Sequence, residues 1–178
     1  MEVGILNDAC ELLPLGEQGE ICTRGPAVFA GYWNNPDANA QAFKGGWFHT
    51  GDLGVMDARG FVPITGRSSD MHTSGGSNVY PREVEEAILS MPNLLEAAVF
   101  SVPDADWGER GVAVVVARDA ASAINAEQLL AHLDGRLAKY KWPRHIVFWP
   151  VLPKSAYGKL VKKDIRAVYL QATAQSDA

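Results

Sequence analysis

Residues 66–85 read GRSSDMHTSGGSNVYPREVE, and this stretch divides the chain into two parts of different character. It begins as a polar segment and continues to two adjacent glycines, Gly75 and Gly76, which is typical of a linker followed by a tight turn. It ends with Pro81, whose fixed φ suits the first position of a helix. We therefore predict a linker at residues 67–70, a hairpin at the two glycines and a helix from Pro81.

The residues that precede this stretch are rich in glycine and contain only short apolar runs. Runs such as those at 20–23 and 61–64 are separated by closely spaced glycines, which indicates short strands joined by turns. One short helix is predicted at 36–43, where Pro36 falls in the first turn. Residues 1–66 are therefore predicted to form a small β-rich unit.

The residues that follow the stretch show alternating helix and strand patterns. Val84, Ala87, Ile88 and Met91 are spaced to form one apolar face of a helix. Two apolar runs at 96–102 and 111–117 indicate buried strands, and Asn125 is predicted to cap the start of a helix. A further strand is predicted at 146–149 and a short helix at 162–170. This mixture predicts a compact α+β domain at residues 71–170, followed by a frayed tail at 171–178.

The composition limits the classes of function that the chain can serve. The 178 residues carry a net charge of −5, but residues 139–166 alone carry +7, so the chain is no general nucleic-acid binder and has one local surface for a polyanion. A solvated helix end and strand edge is the alternative explanation of that basic stretch. No apolar run is long enough for a membrane span. Cys10 and Cys22 form no disulfide framework, which suits a cytoplasmic protein.

Four motifs occur in one order along the chain. The first three are GEI and GYWN within residues 19–34, GWFHTGDLG at 46–54, and the stretch at 66–85. The fourth is LPKSAYGK at 152–159. Together they resemble the adenylate-forming superfamily, which comprises acyl-CoA synthetases, luciferases and the adenylation domains of peptide synthetases. The form of the third motif is closer to acyl- and aryl-CoA ligases than to peptide synthetases.

This resemblance implies a reaction and a domain organisation. Enzymes of the superfamily convert a carboxylic acid and ATP into an acyl-adenylate, and then transfer the acyl group to a thiol. The resemblance makes residues 1–66 the β-rich end of the large AMP-binding domain, 67–70 a hinge, and 71–170 the α+β C-terminal lid. The superfamily's phosphate loop and acyl pocket have no counterpart in this sequence. We therefore expect the C-terminal part of an ATP-dependent carboxylic acid–CoA ligase, inactive alone, with ATP and Mg²⁺ held mainly by a missing N-terminal domain.

Two alternatives remain open at this stage. The first is an adenylation domain of a peptide synthetase, which loads a carrier protein instead of coenzyme A. The second is a stand-alone, non-catalytic binding module descended from the lid, which would bind a partner chain but not ATP. A carrier domain after this segment would favour the first alternative. The absence of an in-frame phosphate loop upstream would favour the second.

The resemblance assigns two residues to the nucleotide. Asp52 follows a glycine in a tight turn, and the resemblance implies that its carboxylate binds the ATP ribose. The alternative is an Asx-turn residue that only satisfies its own backbone. Arg67 carries a planar fork of donors suited to ribose or phosphate oxygens, and the resemblance places it at the nucleotide. A surface ion pair is its alternative explanation.

Lys159 is the expected catalytic residue. The resemblance implies that its ammonium stabilises the negative charge that develops as the acyl-adenylate forms. A solvated lysine in a basic tail is the alternative. Acetylation by a protein acetyltransferase would remove the charge that this mechanism needs.

The remaining assignments concern the hinge, the thiol channel and metals. The resemblance makes Ser69 the hinge residue, at a position where many members of the superfamily carry Asp or Lys, so the charge of the usual electrostatic latch is absent here. Gly75 and Gly76 correspond to the loop that relatives present to the pantetheine arm of coenzyme A, although a plain β-turn explains them as well. The four histidines show no metal-ligand spacing, so no protein metal site is expected: His49, His72, His132 and His145.

Overall fold

The computed structural model describes residues 1–104, 108–119 and 124–176. The chain divides into two compact units, Met1–Asp70 and Met71–Ala178. The described residues form nine strands and four α-helices, so the predicted α+β class is confirmed. Within those described ranges, no helix combines the length and the apolar character that a membrane crossing requires.

The first unit is a four-stranded antiparallel sheet with one short helix. The strands follow one another in chain order across the sheet. A small core lies under them, made by Leu6, Cys22 and Trp47. The elements are β1 (Glu2–Leu6), β2 (Gln18–Arg24), α1 (Pro36–Ala42), β3 (Phe48–Val55) and β4 (Ile64–Arg67).

The second unit contains a small hairpin, a three-stranded sheet and three helices. In the sheet, the first two strands are antiparallel, and the third lies parallel to the second. The elements are β5 (His72–Ser74), β6 (Ser77–Val79), α2 (Pro81–Leu89), β7 (Leu94–Asp104), β8 (Gly108–Ala117), α3 (Ala126–Leu133), β9 (His145–Phe148) and α4 (Lys162–Ser176).

Both faces of the β7–β8–β9 sheet are covered, which explains why its strands are continuously apolar instead of alternating. One face packs against α2 and α3, and the other packs against α4. The first core contains Val84, Ile88, Val99, Val115 and Leu129 among others. The second contains Phe100, Val112, Val114, Ile165 and Tyr169 among others.

Two helix starts lie where local sequence signals placed them. Helix α2 begins with Pro81 as its first residue. Helix α3 begins after Asn125, whose side chain accepts a hydrogen bond from the backbone N–H of Gln128. The Gln128 side chain in turn accepts one from the N–H of Asn125, which completes a capping box.

The C-terminal helix is longer than the sequence pattern predicted. Helix α4 runs from Lys162 to Ser176, whereas the pattern predicted its end at residue 170. The fraying expected at 171–178 stays a prediction, and residues 177 and 178 lie outside the described part. Alanine and glutamine favour a helix in this segment. The Thr173 hydroxyl also donates to the carbonyl oxygens of Tyr169 and Leu170 at 3.1 Å, so the added turn remains bound to the helix before it.

Candidate functional site

The Thr50–Asp52 segment forms a bulge in strand β3. Glu20 pairs with Leu53 and Cys22 pairs with His49, so three residues of β3 lie opposite the single residue between Glu20 and Cys22. Gly51 adopts φ +76°, a conformation that favours glycine. Bulges of this kind redirect a side chain at a sheet surface.

Side chains replace the ladder hydrogen bonds that the bulge removes. The Thr50 hydroxyl donates to the carbonyl oxygen of Ile21 at 2.7 Å and accepts from the backbone N–H of Asp52 at 3.1 Å. The backbone N–H of Gly51 donates to Oε1 of Glu20 at 2.8 Å. The backbone on both sides of Asp52 is therefore fixed by named contacts.

Glu20 also contacts His49, and this pair was missed by the sequence analysis. Oε2 of Glu20 lies 2.7 Å from Nδ1 of His49, and Sγ of Cys22 lies 3.4 Å from the same nitrogen. Burial, followed by the charge of Glu20 and the nearby Cys10, raises the pKa of the Cys22 thiol to about 12. Glu20 lies in the GEI motif, but no role was predicted for it, and the pairing of β2 with β3 brings it to His49.

Glu20, Cys22 and His49 are also the residues that could hold a metal ion in this unit. Each offers one ligand atom, and the three atoms lie within 4.8 Å of one another. The hydrogen bond between the carboxylate and the imidazole accounts for their proximity. Because burial raises the pKa of the Cys22 thiol, a metal ion would have to displace a firmly held proton before the sulfur could bind it.

Asp52 and Arg67, the two residues predicted to bind the nucleotide, lie directly opposite each other in β3 and β4. Oδ1 of Asp52 lies 2.9 Å from Nε of Arg67. The side chains are 27% and 61% exposed, so both are accessible to a ligand. The structure therefore brings these two predicted residues together.

The predicted hinge lies in a single turn of 3₁₀-helix at Ser68–Asp70. The Ser68 hydroxyl donates to the carbonyl oxygen of Gly51 at 3.2 Å, which links this turn to the bulge. Ser69 is exposed, and its hydroxyl lies 3.2 Å from Oδ1 of Asp70. The role of Ser69 as a hinge residue stays a prediction.

Gly75 and Gly76 form the two-residue turn of the β5–β6 hairpin. Their φ angles are +58° and +81°, as a type I′ turn requires at both central positions. The space around the Cβ position of Gly76 is open. The backbone conformation thus explains the two glycines, and their role in a thiol channel stays a prediction.

Lys159 lies at the end of a tight turn that begins at Ser155. The backbone N–H of Gly158 donates to the carbonyl oxygen of Ser155 at 2.9 Å, and that of Ser155 donates to the carbonyl oxygen of Lys159 at 2.8 Å. Gly158 adopts φ +75° with open space at its Cβ position. The Lys159 side chain is exposed and makes no ion pair with any residue in the described ranges.

Ion pairs within the second unit neutralise part of the basic stretch at 139–166. Nζ of Lys141 lies 2.6 Å from Glu83, and Nζ of Lys162 lies 2.8 Å from Glu85. Lys154 pairs with Glu96. Burial opposes the charged form of Lys141, but the contact with Glu83 raises its pKa above the ordinary value. Lys141, Lys154 and Lys162 are therefore engaged in ion pairs, whereas Lys159 forms none with the described residues.

Comparisons with known proteins agree with the resemblance that the four motifs indicated. Residues 83–159 match the family model described as the AMP-binding enzyme C-terminal domain. A feruloyl-CoA synthase of Amycolatopsis sp is 43% identical over 165 residues, which cover 93% of this chain and 33% of that protein. A 2-succinylbenzoate–CoA ligase of Geobacillus kaustophilus is 45% identical with the same coverage.

A similar fold occurs in a solved structure. ATP-bound MatB from Rhodopseudomonas palustris superposes with a TM-score of 0.88 at 43% identity, covering 94% of this chain and 34% of that protein. The chain spans about a third of the length of the curated relatives that it matches. The predicted relationship to the adenylate-forming superfamily is confirmed.

Proposed function

We propose that this chain, which contains an AMP-binding enzyme C-terminal domain, acts as the C-terminal part of an ATP-dependent carboxylic acid–CoA ligase. The observation that carries the proposal is the pairing of Asp52 with Arg67 at an accessible bulge. The similarity to CoA ligases over 93% of the chain supports the same reaction. The acyl-adenylate forms first, and the CoA thioester forms second.

Asp52 and Arg67 bind the nucleotide in this proposal. One carboxylate oxygen of Asp52 contacts Arg67, and within the described part of the chain the other makes no hydrogen bond. That oxygen accepts hydrogen bonds from ribose hydroxyls. The guanidinium of Arg67 holds the carboxylate in place and offers further N–H donors to ribose or phosphate oxygens.

Lys159 acts in the first step only. Negative charge develops on the carboxylate and α-phosphate oxygens as the adenylate forms, and an ammonium group placed there stabilises the transition state more than the ground state. The exposure of Lys159 and the open turn that carries it support this role. The same exposure makes the side chain accessible to a protein acetyltransferase, which would abolish the charge.

The second step uses the β5–β6 hairpin. Gly75 and Gly76 carry no side chains, so a pantetheine arm can pass against their backbone. Ser69 is the hinge residue of the proposal. A hinge needs only to tolerate large changes in φ and ψ, and an exposed serine meets that requirement.

Magnesium does not fit the one ligand cluster among the residues that the structure describes. Mg²⁺ prefers six oxygen ligands, whereas Glu20, Cys22 and His49 offer one oxygen, one sulfur and one nitrogen. We assign ATP and Mg²⁺ mainly to the N-terminal part of the ligase, where the ion accompanies the ATP phosphates.

Two half-reactions test the proposal. The full-length protein that contains this chain is given a panel of aromatic, fatty and dicarboxylic acids, and ATP–pyrophosphate exchange and CoA thioester formation are measured separately. We expect ATP–pyrophosphate exchange with one class of acid, followed by thioester formation with CoA. Exchange without thioester formation on CoA contradicts the CoA ligase, and the absence of exchange with every acid contradicts adenylation. The isolated 178-residue chain is expected to catalyse neither step.

A further inference from the structure

The β5–β6 hairpin is too small to hold its own orientation. Each strand has three residues, and an isolated two-stranded hairpin is marginally stable in water. His72 and Val79 pair with each other at the end remote from the turn, and both are buried in the second unit. The hairpin is therefore held mainly by one end, and the Gly75–Gly76 turn lies at the other.

The buried end of the hairpin contains a polar atom without a hydrogen-bond partner. His72 is only 3% exposed, yet its Nδ1 atom has no hydrogen-bond partner within the described part of the chain. Burial lowers the pKa of the His72 ring, although the charge of Glu109 opposes this effect, so the ring is neutral at pH 7. An unpartnered buried nitrogen weakens the attachment of the hairpin. Its position therefore depends on additional contacts.

Glu109 of β8 makes such a contact. In a two-residue hairpin, Ser74 and Ser77 form the hydrogen-bonded pair next to the turn, so the N–H of the preceding Thr73 points away from the ladder. That N–H donates to Oε2 of Glu109 at 3.2 Å. Oε1 of Glu109 accepts from the Ser101 hydroxyl of β7 at 2.9 Å. One carboxylate thus joins the hairpin to the sheet.

We propose that Glu109 is a positioning residue for the thiol-transfer step, because it fixes the orientation of the Gly75–Gly76 turn. The inference rests on the proposed function. In that step the thiol sulfur forms a bond to the acyl carbon, the bond from that carbon to the adenylate oxygen breaks, AMP leaves, and the thiol proton passes to solvent. Adenylate formation does not use the hairpin, so Glu109 serves the second step alone.

Hydrogen exchange in the 178-residue chain tests the anchor itself. Glu109→Ala is expected to speed exchange of the Thr73 amide by about tenfold, the effect of one lost charge-assisted hydrogen bond. Exchange of Val112–Val115 in the sheet core is expected to stay unchanged. Glu86→Gln is the matched control, because Glu86 forms an exposed ion pair with Arg82 on α2. Unchanged exchange at Thr73, or equal acceleration in the core, overturns the anchor.

Separate half-reactions in the full-length protein test the role in thiol transfer. Glu109→Ala is expected to lower kcat/KM for CoA with a supplied acyl-adenylate by about tenfold, while kcat/KM for ATP in adenylate formation stays the same. Glu109→Gln retains an oxygen acceptor and is expected to recover most of the rate of thiol transfer. This variant still tests the role of Glu109 if the alanine variant folds poorly. Equal losses in both steps, or no loss in either, overturn the inference. If the unmutated protein forms no adenylate, the proposed function itself fails.

Discussion

Oδ1 of Asp52 lies 2.9 Å from Nε of Arg67, and the two residues face each other across strands β3 and β4. They are fifteen positions apart in the chain, at the end of one motif and the start of the next. The bulge at Thr50–Asp52 and the pairing of β4 place them together, so two motifs form one accessible pair of opposite charges.

Removing either charge of the pair is expected to weaken nucleotide binding. Asp52→Asn loses the carboxylate that we propose accepts hydrogen bonds from the ribose hydroxyls, and Arg67→Gln loses the proposed orienting group. We therefore expect KM for ATP to rise by about tenfold in each variant. Initial rates of pyrophosphate exchange at varied ATP concentration measure the effect. Arg59→Gln is the control, because Arg59 pairs with Asp57 on an exposed turn of the same unit. An unchanged KM in Asp52→Asn would refute the ribose contact.

The backbone conformation of Gly158 is expected to affect the rate of adenylate formation, because it shapes the turn that carries Lys159. Its φ of +75° strains a β-branched residue, whereas asparagine tolerates this region. Gly158→Val is therefore expected to distort the turn that carries Lys159 and to slow adenylate formation, and Gly158→Asn is expected to retain most of the rate. Pyrophosphate exchange compares the two variants. Equal rates for both would show that the turn does not position Lys159.

The Cys22 thiol is expected to resist alkylation in the folded chain. Its pKa is raised to about 12, so almost no thiolate is present near pH 8. Between the ordinary pKa of 9.0 and that value, the unfolded chain loses the proton while the folded chain keeps it, so the free energy of unfolding falls as pH rises. Mass spectrometry after maleimide treatment, with and without urea, locates the reactive cysteine. Rapid labelling of native Cys22 would contradict the raised pKa.

Acid is expected to destabilise the second unit through His72. Burial lowers the pKa of this ring below the ordinary 6.5, with Lys162 acting in the same direction and Glu109 in the opposite one. As pH falls below 6.5, the unfolded chain binds a proton that the folded chain does not, so the free energy of unfolding decreases. NMR titration of the ring signals measures the pKa of His72 directly. A midpoint at or above 6.5 would contradict this expectation.

Local signals made the helix starts predictable, whereas contacts between distant residues were not. Pro81 and Asn125 act on their own helix ends, so a short stretch of sequence contains the whole cause. The contact between Glu20 and His49 depends on which strands pair and where the bulge falls. The pairing of Lys141 with Glu83 likewise joins residues 58 positions apart. The length of α4 was missed because fraying was inferred from proximity to the terminus and not from the helix propensity of residues 171–176.

Lys159 is expected to serve adenylate formation and not thiol transfer. In the full-length protein, Lys159→Ala removes the ammonium without disturbing an ion pair in the described part of the chain. Lys163→Ala, an exposed lysine on α4, is the matched control and is expected to retain both half-reactions.

The deciding measurement is the pair of half-reaction rates in Lys159→Ala. We expect adenylate formation to fall by at least about a hundredfold, as removal of one group that stabilises transition-state charge does elsewhere. Thioester formation from a supplied acyl-adenylate is expected to continue at the rate of the unmutated protein. Equal loss of both rates, or full retention of adenylate formation, would contradict this role of Lys159.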